Sequence, residues 1–589
     1  MQAGKKSVGH PVNVATGEMY LNSTDAQVPG RILLEWKRRY STDALQNAPG
    51  ALGPGWSIRY FSSLRVTAGG IALATPDGEQ VRFDAPDNLL AHGQKIIHYG
   101  TFQELEKIGH EYHLTRWDVD TGAVERFCYG AITGDDATTF RLIRIEDITR
   151  QAVDLEWNVA GQLLCVRQRI EGRAFELTYL PNGLLDTIVL RGAGGEKRLV
   201  AQYRYDASGR LISAVDATGR TQEYDYDDQS RIIQEVQKGG GIYIFRYDQK
   251  GRCVQTTGLD NYDAKSLSYM DSVGFTYVTD SRGATTQYQW LPTGQIVLEI
   301  DAVGGRKETR YDDQDRIIGL TGPDGGVTTY EYDEKGNRSK VVDPAGAVTR
   351  LRYNDAHQVV MLTDPGGQQW FRSYDESGNW VCATDPKGIQ WRFAYDGNSR
   401  LAAVINPNGA QRRFFYDGRG NQIANTDWMG RRTAYHFDSF GYLIAQTDAD
   451  GQTTALTRDP HGRIVSIRTR DGGQMRYTYD ESDNLTAIID QAGRITSFRY
   501  GTCNRLLEEI DALGQRVRYV WGSEPELLER IINEKEEIYS FGYDAAGRVK
   551  KRITFDGRVI EHEYDPAGRL IVKSCNGDPV VRFEYDSSG

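Results

Sequence analysis

A short phrase returns along most of this chain. It reads YDASGRL at Tyr205, YDAAGRV at Tyr543 and YDPAGRL at Tyr564. Aligned on the tyrosine, copies recur with a period of 21 residues: Tyr205, Tyr226 and Tyr247, then Tyr269 and Trp290, then Tyr311, Tyr332, Tyr353, Tyr374, Tyr395 and Tyr416. Phe437, Arg458, Tyr479, Tyr500 and Trp521 hold the register, and after one extra residue Tyr543, Tyr564 and Tyr585 resume it. Weaker copies stand earlier, as YLPNGLL at Tyr179 and WNVAGQL at Trp157. The 21 units span nearly three quarters of the 589 residues. A fixed period of this length specifies an array of one small unit. A residue type present in every unit is read as architecture before it is read as chemistry.

Each period holds two turns. The phrase supplies the first, with Asp206 and Gly209, Asp248 and Gly251, Asp333 and Gly336, Asp544 and Gly547, and Asp565 and Gly568. The second follows half a period later, with Asp343 and Gly346, Asp364 and Gly367, and Asp385 and Gly388. Both use one chemistry. An aspartate at the first position bonds backbone N–H groups further round the turn, and glycine takes the left-handed conformation that closes the loop. A type I turn closed by such a glycine is a common hairpin connection.

Between turns lie short segments rich in Thr, Tyr, Val and Ile, which read as β-strands. No apolar stripe of helical period survives turns this frequent. Each unit is therefore a β-hairpin, and successive hairpins pair edge to edge into an all-β antiparallel ribbon. The tyrosines are expected to stack in cross-strand aromatic ladders. At about 4.8 Å per strand the ribbon is about 200 Å long, too wide to stay flat. Rolled once it makes a tube about 60 Å across, and wound twice about 30 Å, in either case a hollow barrel-like cocoon. The strands show no clean oily face, which fits a wall wetted on both sides. The rival architecture is a β-propeller of two units per blade, for which the unit count is too high.

Composition bounds the partners. A net charge of -11 argues against nucleic acid. The six cysteines (Cys128, Cys165, Cys253, Cys382, Cys503, Cys575) are scattered, so neither a disulfide framework nor a zinc site is expected. No run is long and apolar enough for a membrane span, and the start, MQAGKKSVGHPVN, has no apolar stretch of a Sec signal peptide.

The phrase Y-D-x-x-G-[RN]-[LIV] with this period resembles the YD repeat of Rhs (rearrangement hotspot) proteins, shared with toxin complex B and C components and teneurins. The stretch GHPVNVATGEMYLNSTDAQVPG, then LLEWKRRYSTD and GALGPGWSIRY, resembles the segment that enters the Rhs core of bacterial polymorphic toxins. The organisation that follows is an entry or plug segment over 1–65, carrying Pro29, Gly30, Gly53, Gly55 and Trp56, then degenerate hairpins over 66–150, then the repeat wall over 151–589. Trp56 is read either as a wedge between the entry turn and the first hairpins or as a core residue.

The resemblance implies a shell that encloses a C-terminal toxin for delivery between bacteria, typically by type VI secretion, with PAAR and VgrG spike proteins and a chaperone acting at its N-terminal side. It implies synthesis in the bacterial cytoplasm followed by secretion. It also implies an aspartyl self-cleavage motif D-P-x-G-L behind the repeats. The nearest phrase, DPAGRL at Asp565, has Arg569 where leucine belongs, so no cleavage residue is assigned. Without a PAAR-like opening, and ending within a repeat, the chain reads as part of something longer.

Other motifs weigh less. DADG at Asp448 opens like a calcium loop but lacks the later ligands. HEYH places His110 and His113 on opposite faces of a strand. KGGG at Lys238 lacks the lysine and hydroxyl ending of a phosphate loop. No metal, cofactor or catalytic constellation is expected, so the leading expectation is a non-enzymatic container. An adhesive or carbohydrate-binding surface is the alternative, and an enzyme in the N-terminal region comes third.

Overall fold

The computed structural model describes residues 5–67, 69–75, 79–84 and 90–585; the turn within TPDGEQVRF falls at 76–78, outside them. The described residues hold β-strands, turns and a few 3-10 turns, and no α-helix. Strands from Ser63–Thr67 to Asp578–Arg582 form one closed antiparallel sheet of 49 strands. Blades are not its unit: each hairpin pairs with the next along its full edge.

One unit shows why. Strands Thr221–Tyr226 and Ile232–Val236 pair with Tyr224 opposite Glu235, and the register slips between Asp225 and Tyr226. The slip is a bulge beside the turn, where the N–H of Ser230 bonds the carbonyl of Asp227 at 3.0 Å and the N–H of Asp227 bonds the carbonyl of Arg231 at 2.9 Å. The same slip precedes nearly every YD turn, including those at Tyr332, Tyr395, Tyr479 and Tyr564. A bulge bends its strand and increases local twist, so one bulge per unit curls the ribbon steadily in one sense.

The curl produces a spiral. The ribbon touches itself about twelve units further on: His461 meets Thr218 across 243 residues, turn to turn, and Lys265, at the start of a strand, meets Glu524 across 259. One circuit of about 24 strands has a girth of about 115 Å and a diameter of about 37 Å, so the ribbon winds about twice. At its start, strand Ser63–Thr67 pairs with Gly70–Ala74 on one side and with Thr139–Asp147 on the other.

The two circuits differ in what they enclose. Among the described residues, buried apolar side chains run from Val12 to Leu298, and beyond that only Ala424 joins them. Residues 5–62 supply much of this core, with a separate three-stranded sheet of Tyr20–Val28, Leu34–Ser41 and Trp56–Ile58. This segment touches the wall at Glu79 and from Glu125 to Glu299, and its tip reaches Ser399 and Tyr442 in the second circuit. A segment of this size has a radius of gyration of about 10 Å, so it reaches so much of the wall only from the concave side. It fills the first circuit. The second circuit has no counterpart inside it among the described residues.

The wall does have an oily face, contrary to the reading of the strands as wetted alike. In the second circuit Leu351 lies opposite Leu362, Phe393 opposite Val404, Tyr477 opposite Ile488 and Tyr519 opposite Ile531. These positions match Tyr203 and Tyr224, which meet the entry segment in the first circuit. Their neighbours Arg350, Arg352, Arg392 and Arg476 are exposed while they are half-buried, as a concave surface requires. Arginine at the alternate positions, and tyrosine among the apolar ones, hid the alternation in the sequence.

Candidate functional site

The repeated phrase is a relay of contacts that fastens each hairpin to its neighbours. Asp206 accepts the N–H groups of Ser208 and Arg210, each at 2.9 Å, and its other oxygen takes Nε of Arg210 at 2.6 Å. The Arg210 guanidinium also donates to the carbonyl of Asp227 in the next turn and lies 5.4 Å from the Tyr226 ring. The Tyr226 hydroxyl donates to the carbonyl of Leu211 at 2.6 Å. The sequence is therefore Asp, Arg, next Tyr, preceding strand, and it repeats through Arg252 and Tyr269, Arg316 and Tyr332, Arg400 and Tyr416, and Arg548 and Tyr564. An aromatic ladder was expected here. The structure instead sets the arginine of one turn over the tyrosine ring of the next unit.

The other turn residues sit in the same geometry. Asp248, Asp333 and Asp544 each accept two turn N–H groups and one side-chain N–H. Asp565 accepts the N–H and Nε of Arg569. In the second turns Asp343 and Asp385 each accept two backbone N–H groups, and Asp364 accepts that of Gln368. Gly209, Gly251, Gly336, Gly346, Gly367, Gly388, Gly547 and Gly568 all have φ between +78° and +84°. Burial works against charge at Asp206, Asp248 and Asp565, yet the turn N–H groups and the arginine outweigh it and hold their carboxyls below the usual carboxylate range.

The entry segment grips the first circuit through buried polar groups. Arg38, fully buried, forms a two-point pair with Asp25 at 2.6 and 2.9 Å and donates to Tyr224 and Gln222. Trp36 Nε1 donates to the Tyr203 hydroxyl, which donates to Asp25 at 2.7 Å. Trp56, 5 % exposed, donates through Nε1 to Tyr226 at 3.0 Å and packs on Tyr224 and Tyr40. His10 stacks on Tyr243 at 3.6 Å and meets Glu235 at 2.5 Å. Sequence reasoning named Trp56 and missed the Arg38–Asp25 pair. The signal was present: Arg38 falls in phase with Leu34, Trp36 and Tyr40, and an arginine on the buried side of a strand needs a carboxylate.

The four named turn residues of this segment are contact points. Gly53 has φ of +87°, and a Cβ there would stand 2.2 Å from the carbonyl oxygen of Gly209. Gly55 has φ of +77° and faces the Tyr40 ring. The carbonyl of Pro29 accepts from Gln168 and Arg173, and a Cβ on Gly30 would strike the Gln168 amide. Next to them Arg31 bonds Asp147, Thr149 and the carbonyl of Ser399, so the tip ties the first circuit to the second across a cavity of about 320 Å³. Elsewhere the circuits are joined by Arg220 to Asp483, by Lys265 between Asp263 and Glu524 at 2.7 and 2.6 Å, and by Arg282 to the carbonyls of Asp544 and Ala545.

The remaining motifs resolve locally. Asp448 accepts the N–H groups of Asp450 and Gln452 in an ordinary turn. Lys238 is the second residue of the turn from Gln237 to Gly240 and lies 3.4 Å from Asp216. His110 stands in the turn before strand Glu111–Trp117, so it does not share the strand with His113. No helix among the described residues is long and apolar enough to cross a membrane.

Three family descriptions match parts of the chain: a domain of unknown function (DUF6531) at residues 9–83, the RHS Repeat at 205–242, 311–348 and 336–369, and the Teneurin YD-shell at 371–508 and 435–563. Solved structures of similar fold include TcdB2-TccC3, with a TM-score of 0.58, 12% identity, and coverage of 94% of this chain and 37% of that one. TcdB2-TccC3 without its hypervariable C-terminal region gives 0.58 at 10% identity, covering 95% and 42%. The chain thus spans about two fifths of the length of these structures, and at such identity the likeness is one of fold. No curated protein sequence matches.

Proposed function

The chain belongs to the Rhs/YD-repeat family, and from that premise we propose that it forms the wall of a container that holds a toxin polypeptide apart from the cell that makes it. One observation carries this reading: the second circuit turns an apolar, aromatic face inward onto space that none of the described residues fills. A face with Leu351, Leu362, Phe393, Tyr477 and Tyr519 inside a hydrogen-bonded wall suits an extended or partly folded chain, whose own apolar groups gain by leaving water. Apolar patches of this kind mark binding surfaces. The adhesive alternative needs a cluster of aromatics on the outside; Trp370 and Trp391 fall in the inward phase of their strands, and Phe371 and Phe415 face outward from separate strands.

The role is structural rather than catalytic. We assign the delivery to interbacterial competition, with a PAAR and VgrG spike and a chaperone acting on the N-terminal side and with passage from the bacterial cytoplasm to the outside, on the likeness of residues 8–60 to the Rhs entry segment.

The test is protection. A reporter polypeptide fused behind residue 589 is expected to resist protease in the native protein and to be degraded once the wall is unfolded. Degradation at the rate of the free reporter would overturn the container reading. A competition assay between strains with and without the gene tests delivery separately.

A further inference from the structure

Near the start of the wall three side chains of different chemistry converge on one face of the sheet. His113 lies directly opposite Cys128 across adjacent strands, and Glu111 precedes His113 by two on the same face. One donor atom from each of Glu111, His113 and Cys128 lies within 4.8 Å of the other two. Cys128 is fully buried and His113 is 5 % exposed.

We propose that Glu111, His113 and Cys128 bind one divalent transition-metal ion of the zinc class. The donor set of one nitrogen, one oxygen and one sulfur is the mixture such an ion takes. In a tetrahedral site with bonds of about 2.0 to 2.3 Å, ligand atoms stand about 3.3 to 3.8 Å apart, so the donors need close in by no more than about 1.5 Å. The imidazole is only half satisfied. Nε2 meets Glu111 at 2.9 Å, while Nδ1 is buried without a hydrogen-bond partner. Buried polar atoms rarely stay unpaired.

Charge also balances. Binding releases the Cys128 proton to solvent, and the thiolate and the Glu111 carboxylate then neutralise a divalent ion. Arg144 now spans Glu111 at 3.0 Å and Glu146 at 2.5 Å, and the other Glu146 oxygen is buried without a hydrogen bond, with Arg126 at 3.8 Å. When metal takes Glu111, the guanidinium turns wholly to Glu146 and supports the site from outside. The ion staples strands Glu111–Trp117 and Val124–Gly130 where the ribbon begins its curl.

Cobalt titration of the whole purified protein tests this. We expect about one Co²⁺ per chain, with a near-ultraviolet sulfur-to-cobalt charge-transfer band. The band should vanish in Cys128→Ser and His113→Gln, weaken in Glu111→Gln and persist in Cys575→Ser, whose cysteine lies far along the wall. Chelator should lower the melting temperature of the wild type and leave that of Cys128→Ser unchanged. Absence of the band in the wild-type protein, or its persistence in Cys128→Ser, would overturn the proposal whatever the stability of the variants.

Discussion

The hydroxyl of Tyr247 donates a hydrogen bond to the carbonyl of Ile232, fifteen residues earlier, at 2.7 Å. The same bond with the same fifteen-residue reach joins Tyr353 to Arg338, Tyr416 to Leu401 and Tyr543 to Leu528. Trp521 makes it through its indole N–H, and Arg458 through Nε. A donor at the end of a flat side chain makes this bond, so Trp521 and Arg458 can stand in for tyrosine there, whereas Phe437 keeps only the ring and Trp290 donates to Thr276 instead.

Tyr353→Phe keeps the ring and removes this donor. The expected loss is about 1 kcal/mol. In a repeat array the effect stays with the neighbouring hairpins, so amide exchange should rise in strands Arg338–Val342 and Val348–Tyr353 and remain unchanged a circuit away.

Ser230 occupies the closing position of its turn with φ of +63°, where most units carry glycine, and its contacts are made by its backbone, the N–H to Asp227 and the carbonyl to Tyr40. A left-handed residue bearing a Cβ costs about 1–2 kcal/mol, part of which glycine returns as unfolded-state entropy. Ser230→Gly is expected to raise the melting temperature slightly, and the reverse change, Gly547→Ala, to lower it.

Arg38→Met leaves Asp25 buried without its cation, a loss of about 3–5 kcal/mol. Pairing it with Asp25→Leu should recover most of that loss, because both charges then vanish together. Thermal unfolding followed by fluorescence suits the test, since Trp36 and Trp56 both lie against this pair's neighbours.

Acid should loosen the wall through its turns. Asp216, Asp248 and Asp396 have folded pKa values held below normal by their turn N–H groups and basic partners, against the opposing effect of burial. A depressed carboxyl adds stability that is complete above its unfolded pKa of about 4 and is lost as pH falls through the folded value. The melting temperature is therefore expected to be flat above about pH 5 and to fall progressively below about pH 4.

Leu351→Glu and Tyr477→Glu place charge on the inward face, where each side chain is only half-buried. The wall should tolerate them, while binding of an apolar dye and protection of an enclosed polypeptide should both decline. Unchanged dye binding would mean that this face does not hold apolar ligands.

The period, the hairpins and the chemistry of each turn were legible because they are local. Asp206, Gly209 and Arg210 meet within five residues, so their spacing alone dictates the turn. Curvature, closure and contents were settled by tertiary structure. Nothing near Thr218 announces His461, and nothing near Tyr203 announces Trp36, because both contacts arise only after small bends at successive bulges add up around the ring. The inward phase of the strands followed the same rule. A period of two marks alternate faces, and only the sense of the curl decides which face looks in.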